Sequence, residues 1–274
     1  MIGEFILNII FLAVSFAASL IGAICGVGGG IIIKPILDAF GIMSVSSISF
    51  LSGCTVLAMS IISVYKNIKN NKNSNMNFKI STLLGIGASI GGVLGSRIFQ
   101  NLKLAFNNDN KVGAIQAFVL IIITIATLIY LRNTERIETI KVENAYLCIL
   151  IGLSLGLVSA FLGIGGGPIN LVILSYFFSM KTKIAAVNSL YIIMFSQTTS
   201  FLNVLISKNI PEFNINVLII MILGGIVGGL VGNKINRNIS HNKVDKLFMY
   251  LIFIIISINI YNFFKFSILY GNSH

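Results

Sequence analysis

Two short glycine runs are the residues of this sequence with the clearest capacity for chemistry. Gly-Val-Gly-Gly-Gly at 26–30 and Gly-Ile-Gly-Gly-Gly at 163–167 each interrupt a long apolar segment. Because glycine disfavours helix, each run predicts a break, and the helix that restarts there presents N–H groups and the positive end of its dipole. Such a terminus can bind a small anion, although the same glycines also permit close helix packing. The candidate ligands are Gly26, Gly28, Gly29, Gly30, Gly163, Gly165, Gly166 and Gly167.

Small polar side chains in two other apolar segments are the second set of candidates. Ser52 and Thr55 lie in one segment, and Asn188 and Ser189 lie in the other. Hydroxyl and amide groups can complete the shell around an oxyanion without adding charge. They can equally hydrogen-bond one helix to another inside a membrane. For Gln197, further along the second segment, we favour packing or pore lining.

Lys34 and Asp38 form a charged pair of candidates just after the first glycine run. Their spacing of four residues places them on one face of a helix. Ionisable groups inside a membrane are candidates for function, so Lys34 can hold an anionic group with Asp38 as its counter-ion when the site is empty. Alternatively, both residues lie near the membrane surface, where Lys34 extends its amine to water.

The sequence offers no arrangement suited to catalysis. Gly-Leu-Ser-Leu-Gly at 152–156 fits a nucleophile motif, but it lies in an apolar segment, and the two histidines, His241 and His274, are in a basic loop and at the end of the chain. We therefore expect no enzyme, no catalytic residue, no metal site and no cofactor. The cysteines lie in apolar segments and predict no disulfide framework: Cys25, Cys54 and Cys148.

The composition excludes a water-soluble protein. Of the 274 residues 10% are charged and 56% are apolar, and the mean hydropathy is +0.95. So few charges cannot cover the surface of a soluble fold of this size. The first apolar segment lacks the basic start of a signal peptide, so we interpret it as a retained helix. Eight charge-free segments predict an all-α polytopic membrane protein with about eight full spans: 5–33, 39–65, 80–96, 112–131, 144–180, 184–207, 213–233 and 247–264.

The chain matches itself at an offset of 137 residues. Residues 20–43 and 157–180 are identical at 11 of 24 positions, and residues 87–101 and 224–238 at 6 of 15. Chance would give roughly one identity in ten in so apolar a chain, so the match indicates a duplication. We predict two related transmembrane repeats, 1–137 and 138–274.

One segment is too long for a single span. Residues 144–180 would make a helix of about 55 Å, whereas the hydrocarbon core is about 30 Å thick. The glycines at 163–167, followed by Pro168, are the predicted break, because proline suits the first turn of a new helix. The first half is expected to break at 25–30 and to continue as a short arm to Phe40. Each half then holds four full spans and one short arm.

Basic loops indicate how the halves are oriented. The net charge of +11 comes from 19 Lys and Arg against 8 Asp and Glu, mostly outside the spans. With eight simple crossings the two largest basic clusters would face opposite sides, against the positive-inside tendency. If the short arm gives each half an odd number of crossings, the repeats are inverted and the clusters share one side. The clusters are Lys66, Lys69, Lys72 and Lys79, and Lys234, Arg237, Lys243 and Lys246.

The first glycine run belongs to a longer pattern. Residues 26–37, Gly-Val-Gly-Gly-Gly-Ile-Ile-Ile-Lys-Pro-Ile-Leu, resemble the GxGGGxxxxPxL signature of the TauE/SafE family of sulfite exporter-like permeases, and 163–167 repeats its core. The resemblance covers nearly the whole chain. It implies a permease for small sulfur-containing anions such as sulfite, sulfonates and thiosulfate. The second half departs from the signature, with Pro168 directly after the glycines and Val172 where the signature proline would fall.

Together the residues and the resemblance predict a multi-pass permease of a bacterial plasma membrane. We expect alternating access between the repeats, a small anionic substrate, contact with the lipid bilayer, a coupling proton as a candidate partner, and no nucleic acid. The alternatives are a passive anion channel and a membrane subunit that partners another transport or enzyme system. The oligomeric state, the particular anion and the direction of transport are left open.

Overall fold

The computed structural model of the protein describes residues 2–70, 77–134 and 136–271, and these residues form ten α-helices and no strand. Lys72, a member of the first basic cluster, lies outside them. The helices in chain order are α1 Ile2–Cys25, α2 Gly30–Phe40, α3 Val45–Asn70, α4 Phe78–Phe106, α5 Asp109–Arg132, α6 Ala145–Leu162, α7 Pro168–Phe178, α8 Thr182–Ile206, α9 Ile215–Asn238 and α10 His241–Gly271.

Eight of these helices are long and apolar enough to cross a membrane, which confirms the predicted all-α polytopic fold. The other two, α2 and α7, have 11 residues each and correspond to the predicted short arms. At 1.5 Å per residue, an arm of this length covers about half of the hydrocarbon core.

Both predicted breaks are present. The helix α1 ends at Cys25 and α2 begins at Gly30, whereas α6 ends at Leu162 and α7 begins at Pro168. Each long helix is followed by a glycine in the left-handed region, Gly26 with φ 73° and Gly163 with φ 65°. Glycine adopts this conformation without the steric cost that a Cβ brings, so it ends the helix and turns the chain.

Glycine ridges bring two pairs of helices into backbone contact. A methyl group added at Gly87, Gly91 or Gly95 of α4 would lie 2.0–2.2 Å from carbonyl oxygens of α6. The ridge of α9 is buried against α1 in the same way, with Gly228 next to the carbonyl oxygen of Phe16. Small residues at four-residue spacing let helices approach this closely in a membrane, where packing replaces the hydrophobic effect as the source of association.

The two halves make equivalent contacts. The pair α4–α6 is matched by α9–α1, the pair α4–α8 by α9–α3, and the pair α5–α7 by α10–α2. The matched helices α3 and α8 pack with their residue numbers in opposite order, because Phe50 stacks on Phe201 while Gly53 lies against Gln197. These two helices are therefore antiparallel. The inversion of the repeats stays a prediction, and this contact pattern favours it.

The helix ends define two faces of the bundle. Lys66, Lys234 and Arg237 line one crevice where α3 and α9 end, and we call this end of the molecule the basic face. At the other end, Lys103 lies near Asp109 at 3.5 Å, and we call this end the opposite face. The two predicted basic clusters thus meet on one face, as the argument from charge expected for inverted halves.

The glycine ridge of α4 gives a test of the scaffold. We expect Gly91→Ala to lower stability by about 1–3 kcal/mol, because the added methyl would lie 2.0 Å from the carbonyl oxygen of Leu153 and force the helices apart. In thermal unfolding of the detergent-solubilised protein, this cost corresponds to a midpoint lowered by about 5 °C. The control is Ile90→Ala on the lipid-exposed side of α4. Equal midpoints for the two variants would contradict the ridge as the packing surface.

Candidate functional site

The two helix breaks lie against each other in the interior. A methyl group added at Gly30 would lie 2.0 Å from the carbonyl oxygen of Ile164, and one added at Gly28 would lie 3.6 Å from that of Gly165. From the second break, a methyl group added at Gly166 would lie 3.5 Å from the carbonyl oxygen of Val27 in the first break. The structure thus brings together the two glycine runs, which are more than 130 positions apart in sequence.

Backbone N–H groups concentrate where the breaks meet. In the first break Val27 donates its N–H to Gly22 and Ile32 donates to Gly29. In the second, Ile164 donates to Ser159 and Asn170 donates to Gly167. The N–H groups between these donors, at 28–31, 165–167 and 169, have no hydrogen-bond acceptor within the described parts of the chain. Unpaired N–H groups at two helix N-termini make this region electropositive without any charged side chain.

Two hydroxyl groups border the first break. The Oγ of Ser52, a predicted ligand, is 3.0 Å from the position that a methyl at Gly30 would occupy. The Oγ of Ser19 is 2.9 Å from the corresponding position at Gly29. Both serines are fully buried, and neither Oγ has a hydrogen-bond partner among the residues that the structure covers. Ser19 was not predicted, because a serine in an apolar helix gives no sign of which neighbour it meets.

An amide borders the second break. Asn170, in the first turn of α7, donates from Nδ2 to the Oγ of Ser189 at 3.4 Å. Its Oδ1 has no partner within the described segments, and the side chain is 2% exposed. Ser189 is therefore beside the break as predicted, whereas Asn170 was missed. A polar residue two positions after Pro168 was the available signal.

A cavity of about 390 Å³ leads from the opposite face toward the second break. Its mouth includes Lys103 and Asn209, and its inner end is formed by Gly53, Gly163 and Gln197. Gln197 also lies against Gly165, where its amide carbon is 3.2 Å from the position of an added methyl, so this residue joins the cavity to the break. Among the described residues that line the cavity, Lys103 is the only charged one. The further polar lining residues are Ser46, Ser49, Ser96, Gln100 and Ser200.

Two predicted ligands have other partners. Thr55 donates its hydroxyl to the carbonyl of Leu51 at 2.8 Å and packs its methyl group against Gly225 of α9. Asn188 accepts from the hydroxyl of Ser81 at 2.5 Å and from the N–H of Asn77, so it holds the start of α4. Neither residue lines the cavity. Their geometry matches the alternative of hydrogen bonding and packing between helices.

Lys34 and Asp38 form a buried ion pair on α2. The Nζ of Lys34 is 2.6 Å from Oδ2 of Asp38, and the side chains are 4% and 6% exposed. Neighbouring α10 contributes Lys265, which donates to the carbonyls of Asp38 and Ala39, and Asn262, which donates to the carbonyl of Pro35. The pair is thus away from bulk water, and it lies outside the lining of the cavity.

This ion pair gives a test of stability. Removal of one partner leaves an unpaired charge in the interior, so we expect Lys34→Met to cost about 3–5 kcal/mol and to lower the midpoint of thermal unfolding by about 10 °C. The double variant Lys34→Met/Asp38→Leu removes both charges and should recover most of the loss. The measurement is thermal unfolding in detergent. A double variant no more stable than the single one would show that the pair does not act as a unit.

Comparison with known proteins agrees with the geometry. The family described as Sulfite exporter TauE/SafE matches residues 11–259. A protein of Methanocaldococcus jannaschii named as a probable membrane transporter is 28% identical over 182 residues, and the aligned part covers 63% of this chain and 63% of that relative. No solved structure matches the chain. Since the family match spans nearly the whole sequence and both glycine runs, the chain belongs to the TauE/SafE family.

Proposed function

We propose that this protein is a secondary membrane transporter that moves a small anion by alternating access between its two halves. Within that class we propose a sulfur-containing oxyanion, such as sulfite, a sulfonate or thiosulfate. The name of the archaeal relative supports the class of protein, and the description of the family supports the class of anion.

The meeting of the two helix breaks carries the proposal. Two helices begin at one buried place, and the N–H groups of their first turns have no acceptor among the described residues. Non-helical backbone at membrane depth is tolerated where it lines a cavity or meets a ligand. Helix N-termini suit an anion, and the hydroxyl of Ser52 adds a further donor beside Gly30. We propose that the anion binds where these donors converge.

Access from one face supports a transporter over an open channel. The cavity reaches from the opposite face to Gly163 and Gln197, and none of the described residues that line it belongs to the basic face. Lys103 at its mouth places a cation at the entrance of a low-dielectric cleft, which favours anions there, and Asp109 at 3.5 Å offsets part of this charge. Toward the basic face Gly26 packs closely on Ala186, where a methyl added at Gly26 would lie 2.1 Å from the Cα of Ala186.

The orientation follows from the basic face. Cytoplasmic loops of membrane proteins carry an excess of lysine and arginine, so we propose that the face with Lys66, Lys234 and Arg237 is cytoplasmic, in a plasma membrane. The cavity then opens to the exterior. We further propose a proton as the coupling ion, because buried ionisable groups such as Asp38 are suited to carry protons in transporters.

Flux through the purified protein tests the proposal. Liposomes containing the protein are offered sulfite, thiosulfate, sulfoacetate, sulfate and formate in turn, and we expect saturable uptake of at least one sulfur-containing anion that rises with an imposed pH gradient. Protein-free liposomes are the control. If none of the sulfur anions moves or competes, the proposed substrate class is wrong. Flux that is independent of the pH gradient and shows no counterflow indicates a passive channel.

The hydroxyl beside the first break tests the site. We expect Ser52→Ala to raise the KM for the transported anion about tenfold, because a hydrogen bond to a charged group contributes about 1.5–3 kcal/mol. Thr124→Val is the matched control, since Thr124 is equally buried and bonds only within α5. Uptake kinetics of both variants give the comparison. Equal KM values would place the anion elsewhere.

A further inference from the structure

We infer that the protein contains a second half-path for the anion, closed in this structure, that leads from the helix breaks to the basic face and is lined by polar side chains of α3 and α9. The inference rests on the proposed function and extends it to residues that the open cavity does not include. It names where the anion makes contact on the other side of the membrane.

The offset of 137 residues transfers the lining of the open cavity to the other half. Because matched helices make matched contacts, residues that line the cavity on one side have counterparts that would line it on the other side after the halves exchange conformations. The cavity residues Gln197, Ser200, Val204, Ser96, Phe99 and Gln100 correspond to Ser60, Ser63, Asn67, Asn233, Asn236 and Arg237.

The counterparts lie together in the structure, although the open cavity includes none of them. Asn67, Asn233 and Arg237 line one crevice of about 70 Å³ on the basic face. Ser63 lies one layer deeper, where its Oγ is 3.3 Å from the position of a methyl added at Gly229. These residues therefore trace a line from the crevice into the bundle. This grouping is an observation independent of the offset.

Three polar atoms along this line are buried without partners. The Oγ of Ser63 and the Nδ2 atoms of Asn67 and Asn233 have no hydrogen bond among the described residues, and the side chains are 0%, 7% and 6% exposed. Buried polar groups are normally hydrogen-bonded, so each unpaired group calls for a reason. Opening of the route would give these donors water or the anion as a partner. In the open cavity, the counterparts of Asn233 and Ser63 are Ser96 and Ser200. The hydroxyl oxygens of these two serines are 3.3 Å apart.

Contacts among α1, α8 and α9 close the route. A methyl added at Gly26 would lie 2.1 Å from the Cα of Ala186, and Asn236 donates from Nδ2 to the carbonyl of Ile24. On the opposite face the counterparts of Gly26 and Ala186 are Gly163 and Ser49, and both line the open cavity. The pair packs on both faces but more tightly on the basic one: a methyl added at Gly163 would lie 3.4 Å from the Cα of Ser49, whereas one added at Gly26 would lie 2.1 Å from the Cα of Ala186. A switch between these arrangements is what alternating access requires.

The chemistry of the closed route suits a small oxyanion. Its described side chains offer hydroxyl and amide donors, which bind oxygen atoms without holding the ion tightly. Arg237 stands at the crevice as Lys103 stands at the cavity mouth, and Lys183 donates to the carbonyls of Arg237 and Ile239 beside it. A cation thus marks each end of the route. The two entrances attract the same class of ion.

Thiol labelling from each side of the membrane tests the inference. Single cysteines are introduced at Ser63 and Asn233 of a parent that lacks the three native cysteines, Cys25, Cys54 and Cys148, and the anionic, membrane-impermeant reagent 2-sulfonatoethyl methanethiosulfonate is applied to one side of sealed vesicles. From the basic face we expect Ser63→Cys and Asn233→Cys to react at least about tenfold faster than Thr124→Cys, because access of the reagent governs the rate for similar thiols. Ser200→Cys should react from the opposite face.

The outcomes separate this inference from the proposed function. If Ser63→Cys and Asn233→Cys react no faster than Thr124→Cys from the basic face, the second half-path is wrong, whatever the flux assay gives. If they react as expected while the parent moves no anion of the panel, the inferred route stands and the proposed substrate class fails. Should one of the two variants not yield folded protein, Ser60→Cys on the same line replaces it. Reaction of both thiols from the opposite face would also overturn the inference.

Discussion

Every backbone N–H group in a membrane interior needs an acceptor, and the rest of this structure depends on how two helix breaks meet that need. An unbroken helix pairs all of its internal N–H groups, so it offers nothing to a ligand. Here α2 and α7 begin in the interior, opposite each other, with Gly30 next to Ile164. In the proposed function, peptide dipoles supply the positive potential that attracts the anion, and the bundle avoids the cost of a buried, unpaired lysine.

This arrangement needs a rigid frame around it. The glycine ridges of α4 and α9 supply the frame, because they hold α6 and α1 at backbone contact and leave no room for side chains to adjust. The helices α3 and α8 lie between these frames, and both contact the breaks, through Val56 and through Ile193. Two glycine-packed pairs with an antiparallel pair between them suit the proposed alternating access, in which the bundle would rock while its scaffold stays packed.

The sequence predicted the architecture far better than the details of the site. Apolar length and the glycine runs placed all eight spans, both breaks and both arms, because these features follow from backbone chemistry and bilayer thickness. The direction in which each polar side chain points could not be predicted, because an apolar helix inside a membrane lacks the polar stripe that marks the exposed face of a helix in water. Thr55 and Asn188 looked equivalent to Ser52, yet they pack against other helices. Asn170 and Ser19 were not predicted as site residues for the same reason.

The two short arms are anchored differently. In α2 the ion pair of Lys34 and Asp38 is backed by Lys265, whereas α7 has Leu171 and Ser175 at the matching positions. If the two halves were identical, the conformation open to one face and the conformation open to the other would have the same free energy and equal populations. In the proposed alternating access, unequal anchoring would remove that degeneracy and favour one conformation at rest. In the proposed alternating access, the difference between the halves would thereby set a preferred side from which each cycle begins.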